Sequence, residues 1–449
     1  MKRTMLVLAG LLVPATVLAQ LPDPSTRALG MGDAYTAIAR GYEAVAWNPS
    51  LLAAVGRPGF TIGLPHVAVE VGSNTYGFSD FRKYANSFLD DATKQALLDK
   101  ITGSTLTIRT LVGVQPFGLS VGPFALMVGA SGQVDGSIGK DAVRLAFFGN
   151  APRPGTSNTF TAAGSTGRAW AATTAAGSFA LPFPIPLGRL SVGATYKYII
   201  GNFLGTAGDL GTQVAFNPLF TATEAGQAVY TNYDKNCSSN GNSFQPLGTG
   251  TCGAKAGNGY GVDLGATLQF ARGGITLSAV VVNAFGSMTW DQSRMGYDRT
   301  LRQTTQLSSG TVKDTLIVQQ SLQGAGISTN AQASALRDSL LANANFSRLA
   351  RVGIALKSGQ LTLAADAQIR LKAGLDEQSE KLVSAGAEYR LLGILPLRVG
   401  ASTDFAGATM LSAGTGLQLL GINIDASIAN ISGTTRPGVR LGFGVGLIW

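Results

Sequence analysis

Charge is scarce in this chain: Asp, Glu, Lys and Arg make up 13% of its 449 residues, about half of the ~25% usual for soluble domains. That shortage argues against an ordinary soluble enzyme, whose surface would need more charge. Disorder is excluded as well, because 45% of the residues are hydrophobic and disordered chains combine low hydrophobicity with high charge. Histidine occurs once, at His66, with no cluster of Cys, Asp or Glu to complete a zinc site around it. Long apolar runs are missing too. Beyond the extreme N-terminus, nothing approaches the ~18 residues of a membrane-spanning helix. Glycine, by contrast, is abundant: 59/449 is about 13%, against a usual ~7%. An apolar, glycine-rich, charge-poor chain without transmembrane helices points to a transmembrane β-barrel, whose backbone is satisfied between strands.

The N-terminus reads as a secretory signal peptide over residues 1–19. Lys2 and Arg3 precede an apolar stretch, Met5 to Val17, and Val17-Leu18-Ala19 offers a cleavage site before Gln20. The stretch is too short to span a bilayer. Export leads to an oxidising compartment, so the two cysteines, Cys237 and Cys252, are read as a disulfide. It would close a loop of about 15 residues, worth ~3 kcal/mol in the chain-entropy view. After removal of Lys2 and Arg3 the net charge is 34 − 2 − 25 = +7. The basic residues are scattered and form no block, so nucleic acid is not an expected partner. They suit anionic surface lipid or a lumen with a cationic bias.

The C-terminus carries the clearest pattern. Val439, Leu441, Phe443, Val445, Leu447 and Trp449 alternate with Arg440, Gly442, Gly444, Gly446 and Ile448. Period 2 with one apolar face is what a strand between lipid and lumen requires. The same alternation recurs at Leu361–Lys372, Ile422–Ile428, Tyr260–Phe270, Leu190–Tyr198 and Leu106–Val114. Strands are predicted over 59–71, 103–115, 119–133, 166–181, 187–201, 258–271, 273–286, 346–358, 360–373, 379–391, 394–405, 407–420, 421–430 and 437–449. The expected fold is therefore all-β, a barrel of about fourteen antiparallel strands over residues 57–449. Short turns at Gln115-Pro116-Phe117-Gly118, Arg272-Gly273, Lys357-Ser358-Gly359 and Leu420-Gly421 alternate with long outer loops at 72–102, 134–165, 202–257 and 287–345. A weaker strand pair at 211–234 would extend a hairpin above the membrane. Asp80–Ile101 and Asn330–Leu341 read as helical pieces within loops.

Ahead of the first strand, residues 20–56 are rich in small residues, helix-like from Asp33 to Ala39, and closed by an Asn-Pro turn at Asn48-Pro49. Their size suits packing inside the barrel as a plug. The charges on the polar side of the alternation are Arg109, Lys197, Asp263, Arg351, Asp366, Arg370, Glu388, Arg390, Arg398, Asp404, Asp425 and Arg440. They are expected to line the lumen, either as paired, hydrated wall or as a selectivity device. Chemistry of other kinds is not indicated. Gly118-Leu119-Ser120-Val121-Gly122 has the spacing of a nucleophile elbow, but it falls in a β-hairpin rather than at a strand-to-helix turn. The glycines of Gly442 to Gly446 have no helix after them, and Gly139-Lys140-Asp141 lacks the rest of a phosphate loop. No cofactor is expected.

Gly30-Met31-Gly32-Asp33-Ala34, followed by Ala44 to Trp47-Asn48-Pro49 and Leu51, resembles the N-terminal hatch motif of the FadL/TodX long-chain fatty acid transporter superfamily, with its PorV-like and uncharacterised barrels. The motif spans about 25 residues, and the strand pattern extends the likeness along the chain at the level of fold. Ser50 stands where that family usually has Ala, and its fatty-acid-binding residues find no match here. The resemblance implies a hatch built on Gly30, Met31, Gly32, Trp47, Asn48 and Pro49 inside a fourteen-stranded barrel. It implies a monomer in the bacterial outer membrane that takes up small hydrophobic solutes and is no enzyme. A structural or secretion-accessory barrel that holds a partner protein by its loops is the alternative. The terminal aromatic, Trp449, with Phe443, resembles the signal that the barrel-assembly machinery reads, where Phe is the usual last residue.

Overall fold

The computed structural model describes residues 25–84, 86–149, 159–216, 220–231, 255–270, 274–307, 309–376, 378–433 and 437–449. The expected signal peptide, both cysteines (Cys237 and Cys252) and the Arg272-Gly273 turn lie outside the described residues.

Fourteen antiparallel strands close into a barrel. They are β1 (Phe60–Ser73), β2 (Thr105–Val121), β3 (Phe124–Gly139), β4 (Thr166–Ile185), β5 (Gly188–Asp209), β6 (Gly257–Phe270) and β7 (Ile275–Trp290). They continue as β8 (Arg348–Ser358), β9 (Leu361–Lys372), β10 (Lys381–Leu391), β11 (Leu395–Thr403), β12 (Ala408–Leu419), β13 (Ile422–Gly433) and β14 (Gly438–Ile448). Each pairs with its sequence neighbour, and β14 returns to β1 with Val67 opposite Phe443 and Val69 opposite Leu441. Closure leaves the barrel itself no free edge. Trp449 completes the seam: its N–H donates to the Phe60 carbonyl at 3.0 Å, and the rings lie 5.8 Å apart.

The alternation that the sequence carries becomes the two faces of the wall. Leu361, Leu363, Ile369 and Leu371 of β9 are exposed on the outside, as are Val352, Ile354 and Leu356 of β8 and Leu441 and Phe443 of β14. In a bilayer this is the lipid face.

Several boundaries differ from the sequence reading. The turn expected at Gln115-Pro116-Phe117-Gly118 is strand. The chain turns instead at Gly122-Pro123, so β3 begins at Phe124 rather than at 119. A register shift between Val114 and Phe117 takes up Pro116, which cannot donate to a ladder and sits at a bulge. Gly118 to Val121 therefore belong to β2, and Ser120 hydrogen-bonds the Thr61 hydroxyl at 2.6 Å. The helix expected over Asp33–Ala39 is a pair of turns. Asp33 there adopts a left-handed φ of 67°, and the amides of Tyr35 and Thr36 are spent on a wall carboxylate, which removes them from a helical ladder. The piece at Asp80–Ile101 is two helices, Phe78–Tyr84 and Asp91–Asp99.

Above the membrane the outer loops carry structure of their own. The expected hairpin near 211–234 appears as Gln213–Phe216 and Phe220–Tyr230. The loop after β7 contributes two strands the sequence reading missed, Gly296–Gln306 and Val312–Gln323. Phe220–Tyr230 pairs with the top of β5 and with Gly296–Gln306, which pairs in turn with Val312–Gln323. The helix Ala331–Ala342, capped by Asn330, follows. Ala333 and Leu340 of this helix, with Ala344 and Phe346 from the chain just after it, share a buried apolar cluster with Trp170, Ile199, Met288 and Trp290 from the wall, on one side of the outer mouth.

The described part of the N-terminal segment, residues 25–54, lies in the interior. Its short helix Thr26–Gly30 packs on β11 to β13, and Pro49–Ala53 packs on β4 to β6 on another side of the wall. Helices this short are not stable alone, so their order comes from packing. Glycines in the wall make the approach possible. A Cβ on Gly386 or Gly400 would run into the Met31 carbonyl or the Gly32 amide, and one on Gly193 would meet Pro49 and Ser50 at 2.6 Å. Gly386→Val is accordingly expected to unseat the segment, at a cost of about 1–3 kcal/mol. Trypsin cleavage at Arg27 and Arg40 in the folded barrel should then rise severalfold. Gly136→Ala, whose Cβ would meet nothing within 4 Å, should leave cleavage unchanged.

Candidate functional site

The site is the joint between the N-terminal segment and the barrel wall. Its centre is Glu388 on β10, which is fully buried. Arg27 of the segment grips it bidentately, Nε to Oε2 at 2.7 Å and Nη2 to Oε1 at 3.0 Å. Arg398, the cross-strand neighbour of Glu388 on β11, donates to Oε2 at 2.8 Å and to Asp425 of β13 at 2.6 Å. Arg390 reaches Glu388 Oε1 at 3.3 Å. Buried charges of this kind are tolerable only when paired and hydrogen-bonded, and the planar Arg fork matches a carboxylate. Arg27 also donates to the Ile38 carbonyl and the Tyr35 hydroxyl, and Glu43 accepts from Ser25 and from Tyr35. The segment is thus cross-braced internally as well as to the wall.

Three further ties follow along the segment. Asp366 of β9 accepts the backbone amides of Tyr35 at 2.8 Å and Thr36 at 2.7 Å. Asp33 pairs with Arg440 of β14 at 2.7 Å. Asn48 donates to the Thr36 carbonyl and to Thr267 of β6, both at 3.2 Å. The Ser50 hydroxyl bridges Asn48 Oδ1 at 2.6 Å and Thr267 at 2.7 Å, a contact that an Ala at this position could not make. Gly30 lies against Arg398 and Ser427, Met31 against Gly386, and Gly32 against Ala401 with a φ of +68°. Trp47 stands edge-on to Tyr35 at 5.4 Å and carries the Arg351 guanidinium over its ring at 4.7 Å. His66 sits in the β1 bulge, its Nε2 3.2 Å from the Tyr42 hydroxyl and its Nδ1 2.8 Å from the Leu64 carbonyl.

The inward charges read from the sequence fall into four places. Glu388, Arg390, Arg398 and Asp425 are brought together at the segment. Lys197 and Asp263 form a second buried pair at 2.7 Å, with Asn283 donating its amide to Asp263 and accepting from Lys197. Arg109, Arg351, Asp366, Arg370 and Arg440 are spread around the outer half. There Arg109 pairs with Asp135 at 2.5 Å, Arg351 donates to Gln368, and Arg370 to the Gln378 carbonyl. Asp404 lies in the outer turn after β11, where its carboxylate accepts the backbone amides of Ala406 and Ala408. Two adjoining cavities of about 140 and 170 Å³ lie among these outer groups, sharing Asp33, Glu70 and Arg440. They form a polar cleft that leads from the outer rim at Ser402 and Asp404 down to Trp47 and Asp366.

Sequence reasoning missed Arg27, Asp33, Tyr35 and Glu43. Their signal was present: charged and hydrogen-bonding side chains set at intervals in a run rich in small residues. Asn283 had no signal, because its role depends on the register shift between Val281 and Phe285 in β7.

A family model described as "Family of unknown function (DUF5723)" matches residues 53–412. No curated protein matches the chain by sequence. Among solved structures the chain is similar to the CymD monoaromatic hydrocarbon channel, with 14% identity over 94% of this chain and 97% of that one and a TM-score of 0.47. It is also similar to the Ralstonia pickettii toluene transporter TbuX, with 13% identity over 94% and 98% of the two chains and a TM-score of 0.43. The Pseudomonas putida toluene transporter TodX gives 10% identity over 96% and 99% with a TM-score of 0.43.

Proposed function

The chain belongs to DUF5723, a family of unknown function, and within it we propose the role of a plugged outer-membrane channel that admits a small hydrophobic solute. The observation that carries this reading is the tying of one N-terminal segment to β9, β10, β14 and β6 by hydrogen bonds, with a polar cleft on its outer side. Support for the hydrophobic class comes from the outer mouth, where Trp170, Met288, Trp290 and Phe346 face inward rather than toward lipid. In this reading the solute is captured at that apolar side, and residues 20–56 act as the hatch whose movement lets it pass. The barrel works as a monomer in outer-membrane lipid, with Phe443 and Trp449 as its assembly signal. Liposomes containing the purified chain should take up toluene faster than empty liposomes, and sucrose no faster. Equal toluene rates with and without protein would refute the reading.

One observation favours the second reading, a barrel that holds a partner. The strand Val312–Gln323 forms the outer border of the loop sheet, with Val312, Leu316 and Ile317 exposed. Sheet borders of this kind accept added strands. Crosslinking in native membranes decides: a chain recovered alone in every condition removes this reading.

A further inference from the structure

We infer that the wall-facing side of the hatch joint holds a small oxyanion, a carboxylate or a phosphate, between Arg40, Arg390 and Lys357. The charges at the joint do not balance. Among the described residues it gathers Arg27, Arg40, Arg390, Arg398 and Lys357, against Glu43, Glu388 and Asp425. Glu388 alone serves three of these arginines. Its oxygens are taken up by Arg27 and Arg398, and Arg390 has only the long contact at 3.3 Å. Buried Nη2 atoms of both Arg390 and Arg398 have no partner among the described residues. The half-buried Arg40 side chain forms no hydrogen bond or ion pair among the described residues either; only its backbone carbonyl is engaged, by the Glu43 amide. Unpaired buried donors of this strength are costly, and an anion at this place would satisfy them.

Position supports the same conclusion. Lys357 and Arg390 stand at the ends of β8 and β10 that lead into the short turns, and Lys357 is exposed. The group is therefore reachable from the short-turn side, the periplasmic side of such a barrel, and is separate from the outer cleft. Arg40 belongs to the segment, outside the strands. The nearby charge of Arg27, burial, and the charge of Arg390 together lower its guanidinium to about 9, which marks a strongly positive environment. Neighbouring cations that oppose one another are stabilised together by a shared anion. A carboxylate or phosphate fits because paired guanidinium forks suit two oxygens on one atom.

Titration of the full-length chain in detergent with benzoate and, separately, with inorganic phosphate tests this at constant chloride. Saturable binding of either probe is expected, weakened at least tenfold in the Arg40→Gln/Lys357→Gln double variant. Binding of benzoate alone assigns the site to a carboxylate solute, of phosphate alone to the inorganic ion, and of both to oxyanions in general. Neither side chain makes a tie that holds the segment, so the barrel should fold. Should the double variant fail to do so, Lys357→Gln alone, at an exposed position, gives the same comparison with a smaller loss. The inference is overturned if neither probe saturates, or if the affinity is unchanged in the variants.

Discussion

Glu388→Ala is expected to free the N-terminal segment from the wall. The carboxylate is fully buried and serves Arg27, Arg390 and Arg398. Its removal leaves three guanidiniums with Asp425 as their remaining bonded carboxylate. Breaking a buried pair from one side costs about 3–5 kcal/mol. At ~1.4 kcal/mol per tenfold, the bound segment loses a factor on the order of 10²–10³ relative to the released one. The strands are unaffected in this argument, because Glu388 points inward and contributes nothing to the backbone ladder beyond what alanine retains. The expected result is a folded barrel whose segment is cut by trypsin after Arg27 and Arg40, while the wild type resists. A double-mutant cycle with Arg27→Gln isolates the pair: the second substitution should add little to the first. Full protection in Glu388→Ala would contradict the joint as described.

The second large effect concerns the wall itself. Asp263→Ala should destabilise the barrel, again by about 3–5 kcal/mol. Asp263 Oδ1 receives both the Lys197 ammonium at 2.7 Å and the Asn283 amide at 2.7 Å. Without it Lys197 is a buried cation facing an amide oxygen. Asn283, at a φ of 52° in the register shift of β7, loses the acceptor that holds that conformation. Strain of this kind persists only where the surroundings impose it. A lower guanidinium midpoint of unfolding is expected, with partial recovery in Asp263→Leu/Lys197→Met, which removes both charges. A midpoint equal to wild type in Asp263→Ala would remove the pair from the stability account.

These effects explain which parts of the molecule could be read from sequence. The barrel was legible because each strand states its two faces locally: Leu361, Leu363, Ile369 and Leu371 need no partner to reveal their side. The count of fourteen survived an error at Pro116, since a bulge bends a strand without ending it. The outer strands Gly296–Gln306 and Val312–Gln323 were not legible. They have no lipid face, so ThrLeuArgGlnThr-type runs around Leu301 carry no alternation to find. The joint was half legible. Parity placed Glu388, Arg398 and Asp425 inside, and resemblance placed the segment near them. Their pairing depends on which residues face each other across the barrel, and no local pattern encodes that. The helix expected at Asp33–Ala39 failed for the same reason: Asp366, more than three hundred residues away, takes the amides a helix would use.

The glycine content also finds a physical place. Gly193, Gly265, Gly353, Gly386, Gly400 and Gly414 line the wall where the segment approaches. Taken with Thr267, Ser427 and the inward charges, they make a wall that water would fill if the segment left. The central claim is that residues 20–56 close a lumen that is otherwise open. Single-channel conductance in planar bilayers tests it most directly, comparing the full mature chain with one lacking residues 20–56. The account predicts little or no steady conductance for the intact chain and large, stable steps for the deletion. Equal conductance in the two, whether closed or open, would contradict it.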